Sequence, residues 1–377
     1  MKNIEVQGIW FPNKGAELML AAICQWRREK YPEARVVLPS YLPYAERARF
    51  GAWQKYWRLH PKKFQRGVYT EFIPGKVLEP CGIVRDSEID ALLDSSGYAY
   101  GDSWGASNVR QYLSRYMPAW RKRGRKMILL PQAFGPFESE EIRREMRVVL
   151  ENADLICARD EVSRDYLART GGPMERVVVH PDFTPLVKGV RMAEHAPLAG
   201  KACLIPNAKM LERGGVKGDD YVRFFAGLCR RFESEGGAFL LLHEGAPDRK
   251  ICEAVREAAG GRVELVAPED PLVIKGIIGT ARLVVTSRFH GLASALSQGV
   301  PAVATSWSHK YRALAADYTR RPIVIEKCDD AATEHVAELL RADELPAMRA
   351  ELAVSAEAQK ALTRKMWAQV GEILDRR

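Results

Sequence analysis

Short runs of aliphatic and β-branched residues alternate with segments of helical period almost from one end of the chain to the other. The runs at 4–10, 35–39, 91–94, 127–131, 155–158 and 177–180 predict strands in the first half. Those at 202–206, 238–243, 263–266, 283–287, 302–305 and 322–325 predict a second series after a break. Between them, 16–30, 140–152, 219–234, 249–259 and 292–298 carry apolar residues at helical spacing. The strand runs are continuous rather than alternating, as a sheet covered on both faces requires, so parallel βα units are expected. The stretch 185–199 contains Pro185 and Pro197, has no long period, and reads as a linker between the two series. A last helical pattern starts at Leu345 and has no strand after it. The expected architecture is α/β: two doubly wound Rossmann-like domains, 1–185 and 200–345, facing a cleft, then a C-terminal helix over 346–377. Ligands of such folds gather at the carboxyl ends of strands, so strand-to-helix junctions carry most weight.

Composition narrows this picture without changing it. At about 150 residues per domain, 377 residues suit two domains. A hydrophobic content of 47% and a charged content of 28% exclude disorder, collagen-like repeats and coiled coil as the main organisation. No apolar run approaches the roughly 18 residues that cross a bilayer. The start, Met1-Lys2-Asn3-Ile4-Glu5-Val6, lacks the apolar block of a signal peptide, so a cytoplasmic location is expected. The seven cysteines are scattered singly, without zinc spacing or a disulfide framework. Lys and Arg number 57 against 48 Asp and Glu, a formal charge of +9. That excess points to anionic ligands, a membrane surface or nucleic acid without choosing among them.

The strongest junction is Ser287-Arg288-Phe289-His290-Gly291, where an apolar run enters a small-residue helix. Helix N-termini favour anions through their free N–H groups and dipole. An extended Arg-Phe-His would place Arg288 and His290 on one side and Phe289 on the other. A lone histidine is usually structural; one spaced this way from an arginine at a strand end points to function. The next junction, Ser306-Trp307-Ser308-His309-Lys310-Tyr311-Arg312, lies one βα unit further. Lys310, Arg312 and His309 are candidates to complete an anion clamp with Arg288. The plain alternative is a helix capped by Ser308, although cations in a first turn oppose the dipole.

The first junction, Gly8 to Leu20, matches neither GxGxxG nor a Walker loop; Asn13 and Glu17 are either cleft-facing residues of the first domain or, equally, a turn residue and a first-turn acid. Gln132, Arg159 and Asp182 are the polar candidates at three further junctions. Each has a structural alternative or second role: a turn for Gln132, an ion pair with Asp160 or Glu161 for Arg159, and tying the domains together for Asp182. There is no HExxH, GxSxG or EF-hand loop and so no case for a metal.

The ordered set Asn13/Gly15/Glu17, Pro131–Phe137, Ala158–Ser163, Pro181–Phe183, Arg288–Gly291, Gly299–Pro301 and Lys310 resembles the polysaccharide pyruvyltransferase family over roughly residues 8 to 316. The resemblance implies a fold like that of GT-B glycosyltransferases. It implies phosphoenolpyruvate as co-substrate, with no cofactor, and a pyruvate ketal placed on a sugar of a bacterial polysaccharide or its lipid-linked precursor. It also implies that Arg288 and His290 handle the donor. Two departures fall on the acceptor side: Asp94-Ser95-Ser96-Gly97 stands where a Gly-Gly-Gly run is common, and Asn13-Lys14-Gly15-Ala16 where Asn-x-Gly-Asp is common.

Such a donor carries a carboxylate and a phosphate, which suits a clamp of Arg288, Lys310 and Arg312. Histidine titrates near neutrality, which makes His290 the catalytic candidate. Two other readings stand beside this one. A nucleotide-sugar glycosyltransferase would often carry a Glu before the Gly-x-Pro turn, where this chain has Ser294. A non-catalytic saccharide-binding relative is the third. Two basic-aromatic stretches, 50–64 and 120–126, are set between ordinary structure and peripheral contact with anionic membrane, where a lipid-linked acceptor would be met. For the second, a helix stopped at Gly124 is the plainer account. Nucleic acid is not expected, for want of a motif.

Overall fold

A computed structural model of the chain describes residues 1–55, 71–213, 215–306 and 308–376. The chain forms two compact units. The first comprises Met1–Phe11, Met19–Phe183 and Thr363–Arg377; the second comprises Pro12–Leu18 and Thr184–Leu362.

The first unit is built on a parallel sheet of β1 (Asn3–Gln7), β2 (Arg35–Pro39), β3 (Trp53–Lys55), β4 (Ile83–Val84), β5 (Ala91–Asp94), β6 (Lys126–Gln132), β7 (Leu155–Ala158) and β8 (Val177–Val179). Their order is β4-β3-β2-β1-β5-β6-β7-β8, so strand order reverses between β1 and β5, with Ile4 opposite Ala91. Gly8 follows β1 at φ +80°, and a Cβ there would collide with the backbone of Ser96 after β5. A glycine is therefore what lets these two turns approach at the reversal. The central strands β1 and β5 are wholly buried; this fits the apolar run Ala91–Leu93 of β5, whereas β1 buries Asn3, Glu5 and Gln7 between Ile4 and Val6, with Glu5 ion-paired to Lys55. Helices Glu140–Asn152 and Glu161–Ala168 start at side-chain caps, Ser139 accepting from Ile142 N and Asp160 from Ser163 N.

The second unit carries β9 (Ala202–Ile205), β10 (Ala238–Leu241), β11 (Glu264–Val266), β12 (Leu283–Thr286), β13 (Ala302–Thr305) and β14 (Val324–Ile325). The order β11-β10-β9-β12-β13-β14 is again parallel and reverses between β9 and β12. Its core sets Phe224, Phe225 and Phe232 of helix Gly218–Glu233 among the buried strands.

Three features differ from the sequence reading. β3 and β4 were not expected, because Trp53-Gln54-Lys55 is not an apolar run and Ile83-Val84 is only a two-residue one between Gly82 and Arg85. The stretch 185–199 packs within the second unit: Val187 is buried, Val190 N donates to Leu272 O at 2.8 Å, and Gly189 and Gly276 lie too close for a Cβ on either. The C-terminal helix, Leu345–Asp375, belongs to the second unit up to Leu362 and to the first from Thr363. No helix among the described residues is long and apolar enough to cross a membrane.

Candidate active site

The reversal between β9 and β12 is where a doubly wound sheet opens a crevice at its strand ends. Residues at the ends of β9, β12 and β13 and on two helices meet in a buried polar network there. Ser287, wholly buried, follows β12; its Oγ lies 2.6 Å from Tyr221 Oη and bonds Thr305 Oγ1. Its carbonyl accepts from Asn207 Nδ2 at 2.8 Å and from Tyr311 Oη at 2.9 Å. A fully engaged network of this kind holds the strand end rigid.

Arg288 leaves this anchored point as the residue capping helix Phe289–Leu296. The helix begins at Phe289, so the expected strand-like alternation through His290 is replaced by a helical turn. Phe289 is buried, with its ring edge-on to His290 at 5.2 Å and to Tyr311 at 5.7 Å.

The guanidinium of Arg288 is already engaged, which corrects the expectation of an open clamp. Nε and Nη2 donate to Asp248 Oδ2 at 2.9 and 2.6 Å, and Nη1 pairs with Glu244. Asp248 is held in turn by Ala208 N, 2.9 Å from its Oδ1. Burial works against the arginine's charge, but Asp248 and then Glu244 outweigh it and raise its pKa. Asp248 is buried, whereas the Glu244 side chain keeps 20% exposure.

His243, two residues past β10 and buried, completes this side. Burial, then the charges of Arg288, His290 and Lys14, push its pKa well below 6.5. It is a neutral imidazole at neutral pH.

The segment Pro12–Leu18 belongs to the same unit as His290, not to the opposite one as expected. A Cβ on Gly15 would overlap His290 Nδ1, so the ring rests against the first turn of helix Lys14–Lys30. Asn13 Oδ1 accepts from Ala16 N at 3.1 Å, satisfying one free donor of that turn. Glu17 is fully buried and pairs with Lys14 at 2.8 Å. Asn13 and Glu17 thus shape the turn against which His290 lies.

Lys310 sits in the first turn of helix His309–Ala316, with Nζ 5.6 Å from the Phe289 ring centre and 5.7 Å from that of Tyr311. It therefore neighbours the turn carrying His290. Half-buried His309 precedes it, and Ser308 occupies the cap position without a side-chain cap bond. Arg312 is exposed and ion-paired with Glu326, which directs it away from the expected clamp.

The remaining candidates lie in the first unit. Gln132, wholly buried at the end of β6, donates from Nε2 to Asp94 Oδ1 at 3.0 Å. Asp94 also accepts from Tyr100 Oη at 2.7 Å. Arg159 N donates to the Gln132 carbonyl at 3.0 Å, and the side chain is buried. Asp160 caps the next helix and Glu161 pairs with Arg164 at 3.3 Å. Asp182, also buried, accepts through its carbonyl from Thr363 Oγ1 at 3.3 Å.

The two basic stretches fare differently. In 120–126, Arg125 is buried and paired with Asp86 at 3.1 Å and Glu5 at 3.6 Å, so it is no surface cation. The helix there ends at Lys122, and Gly124 has φ +76°. Most of 50–64 falls in 56–70, outside the described residues.

The sequence reading did not single out Lys14, His243, Glu244 or Asp248. One signal was available: His243-Glu244-Gly245 stands at the end of an expected strand, the same kind of junction that drew attention to Arg288.

Solved structures similar in fold include S. aureus MnaA with UDP, at 15% identity and TM-score 0.62, covering 98% of this chain and 96% of that one. UDP-GlcNAc 2-epimerase from Neisseria meningitidis bound to UDP-GlcNAc is similar at 12% identity and TM-score 0.61, covering 98% and 99%. A glycosyltransferase from Rickettsia africae follows at 8% identity and TM-score 0.60, covering 100% and 99%. At such identities the likeness is one of fold: the GT-B type, with two Rossmann-like domains. The family model for polysaccharide pyruvyl transferase matches residues 13–309, a span that begins at the turn against His290 and takes in Glu244, Asp248 and Arg288. The chain belongs to the polysaccharide pyruvyl transferase family.

Proposed function

We propose that this chain takes the pyruvyl unit from phosphoenolpyruvate and places it as a ketal on a sugar diol, in the making of a bacterial exopolysaccharide or cell-wall polysaccharide. The observation that carries the reading is the position of His290. Its imidazole follows Arg288 at the sheet reversal and abuts a helix N-terminus through Gly15, and Lys310 lies over the ring of the adjacent Phe289. A donor with one carboxylate and one phosphate matches that set of charges and free N–H groups.

In the proposed reaction His290 delivers a proton to the vinyl C3, turning the methylene into a methyl group and leaving C2 oxocarbenium-like. One sugar hydroxyl attacks C2 and gives up its proton. The C2–O bond to phosphate then breaks, and the second hydroxyl closes the ketal with loss of its own proton. A group that both gives and takes protons near neutrality suits this sequence. His243, held neutral beside it, adds no competing positive charge. The donor carboxylate would take the place on Arg288 that Glu244 occupies, while Asp248 keeps the guanidinium oriented.

The test is phosphate release from phosphoenolpyruvate on adding nitrophenyl or lipid-linked glycosides. Release should depend on the acceptor and fall roughly 10²–10⁴-fold in His290→Ala, with the thermal melt preserved. Near-normal turnover in that variant would remove His290 from the chemistry. The bound UDP of the fold neighbours favours a second reading, a nucleotide-sugar transferase. Against it, the position suited to a ribose-binding acid is Ser294, which is buried.

A further inference from the structure

We infer that His243 is a further donor-binding residue of the second unit, its Nδ1 donating a hydrogen bond to the phosphate of the incoming donor. This deepens the proposed function and rests on it for the identity of that donor.

The sheet register places the residue. Leu240 of β10 and Val285 of β12 both pair with Leu204 of the intervening β9. Three residues on from each stand His243, Asn207 and Arg288, so His243 and Arg288 leave the sheet on one level, at its carboxyl edge. The same loop supplies the acids of Arg288: Glu244 follows His243 directly, and Asp248 lies in the first turn of helix Ala246–Ala258. At Gly245 a Cβ would lie 3.6 Å from Pro12 Cγ, in the segment whose Gly15 abuts His290. One short loop thus reaches both Arg288 and the turn beside His290.

The imidazole itself is incomplete. His243 is 5% exposed, and its Nδ1 has no hydrogen-bond partner among the described residues. A buried polar nitrogen left without a partner is costly, and with its proton on Nδ1 the ring is a donor lacking an acceptor. The acids of its own loop do not fill that place, since both are bonded to Arg288.

The surrounding charges choose an anion as the missing acceptor. Arg288 and His290 on the β12 side, and Lys14 from the first helix, all act on the ring in the sense of positive charge. Glu244 and Asp248 are engaged by Arg288, and Glu17 by Lys14. An uncharged imidazole can donate to an anion there without competing with His290 for the proton bound for C3. Phosphate is the group left over: the donor carboxylate takes the place of Glu244 on Arg288, and Glu244 is part-exposed, so its side chain can swing out to solvent. The donor's other anionic group then falls beside the neighbouring residue, His243.

Calorimetric titration with inorganic phosphate and with phosphoenolpyruvate tests the assignment in wild type, His243→Leu, His243→Asn and His243→Gln, with thermal melts as the folding control. Asparagine sets an amide N–H near the place of Nδ1, whereas glutamine reaches that of Nε2. His243→Leu and His243→Gln should weaken both ligands about tenfold, and His243→Asn should restore most of the loss. The contrast between Asn and Gln keeps the test decisive even if His243→Leu does not fold. Unchanged binding in His243→Leu and His243→Gln would overturn the proposal. So would equal losses in Asn and Gln, which would mark a role in packing alone. Phosphate binding that follows the Asn–Gln contrast, without any phosphoenolpyruvate binding, would count against the donor reading and leave the phosphate contact standing. Phosphoenolpyruvate binding indifferent to all three variants would do the reverse.

Discussion

Arg288 is already paired with two acids, and the two are not equivalent. Asp248 takes two of its N–H bonds, is buried, and is fixed by Ala208 N; Glu244 takes one and remains part-exposed. On the proposed reading Asp248 would be the orienting partner and Glu244 the exchangeable one, holding the place of the donor carboxylate. Asp248→Asn should raise the phosphoenolpyruvate KM about tenfold, the value of one charge-assisted hydrogen bond, with a smaller change in kcat. Glu244→Gln should lower that KM, because less negative charge opposes the donor. Steady-state kinetics on both variants, with thermal melts as a folding control, decides it; equal rises in KM would show that Glu244 only orients. Arg288 and His290 were legible because they share one strand end. Their acids lie forty and forty-four residues upstream in another βα unit. No period or spacing announces that β10 and β12 both flank β9.

At the scale of elements, the turn at the start of helix Lys14–Lys30 and the end of β10 converge on His290. Gly15 has no room for a side chain against His290 Nδ1. Gly15→Ala must move the imidazole or unwind the first turn. Its kcat should therefore fall well beyond any loss of stability, measured as activity beside the melting temperature of the same sample; unchanged kcat would mean that the contact does not position the ring. His243 predicts a pH dependence. Its folded pKa lies well below 6.5, so on acidification the unfolded chain takes up a proton that the folded chain refuses. Its contribution to stability is intact above that value. Below it, stability should drop by about 1.4 kcal/mol per pH unit until the folded pKa is reached. Urea unfolding of wild type and His243→Gln between about pH 7 and 5 should show the steeper fall in wild type; parallel slopes would refute the assignment. Buried strands such as β5 and β13 were readable from their apolar runs. β3, three residues ending in a buried, ion-paired Lys55, offers no such run.

At the scale of the whole chain, the expected order of first domain, second domain and final helix gives way to two units that each borrow a distant segment. The first unit is completed by Thr363–Arg377. There Trp367 stacks on Trp26 at 4.5 Å and meets Phe183 edge-on at 5.7 Å, and Tyr31 Oη donates to Asp375 at 2.9 Å. Trp367→Ala should destabilise that unit by about 3–5 kcal/mol, read as an earlier urea transition; no shift would mean that the helix end only decorates the surface. The second unit borrows Pro12–Leu18 and with it the turn against His290, a partnership that composition and charge could not disclose. Part of the positive charge behind the net +9 is engaged within the fold: Arg125, Arg288 and Arg312 are each ion-paired within their own unit. The central claim, that the site around Arg288 and His290 binds phosphoenolpyruvate, is tested most directly by calorimetric titration of wild type and Arg288→Gln with phosphoenolpyruvate and with UDP-glucose. Saturable phosphoenolpyruvate binding to wild type, lost in Arg288→Gln, with no heat from UDP-glucose, is the predicted result; UDP-glucose binding in the absence of any phosphoenolpyruvate binding would contradict it.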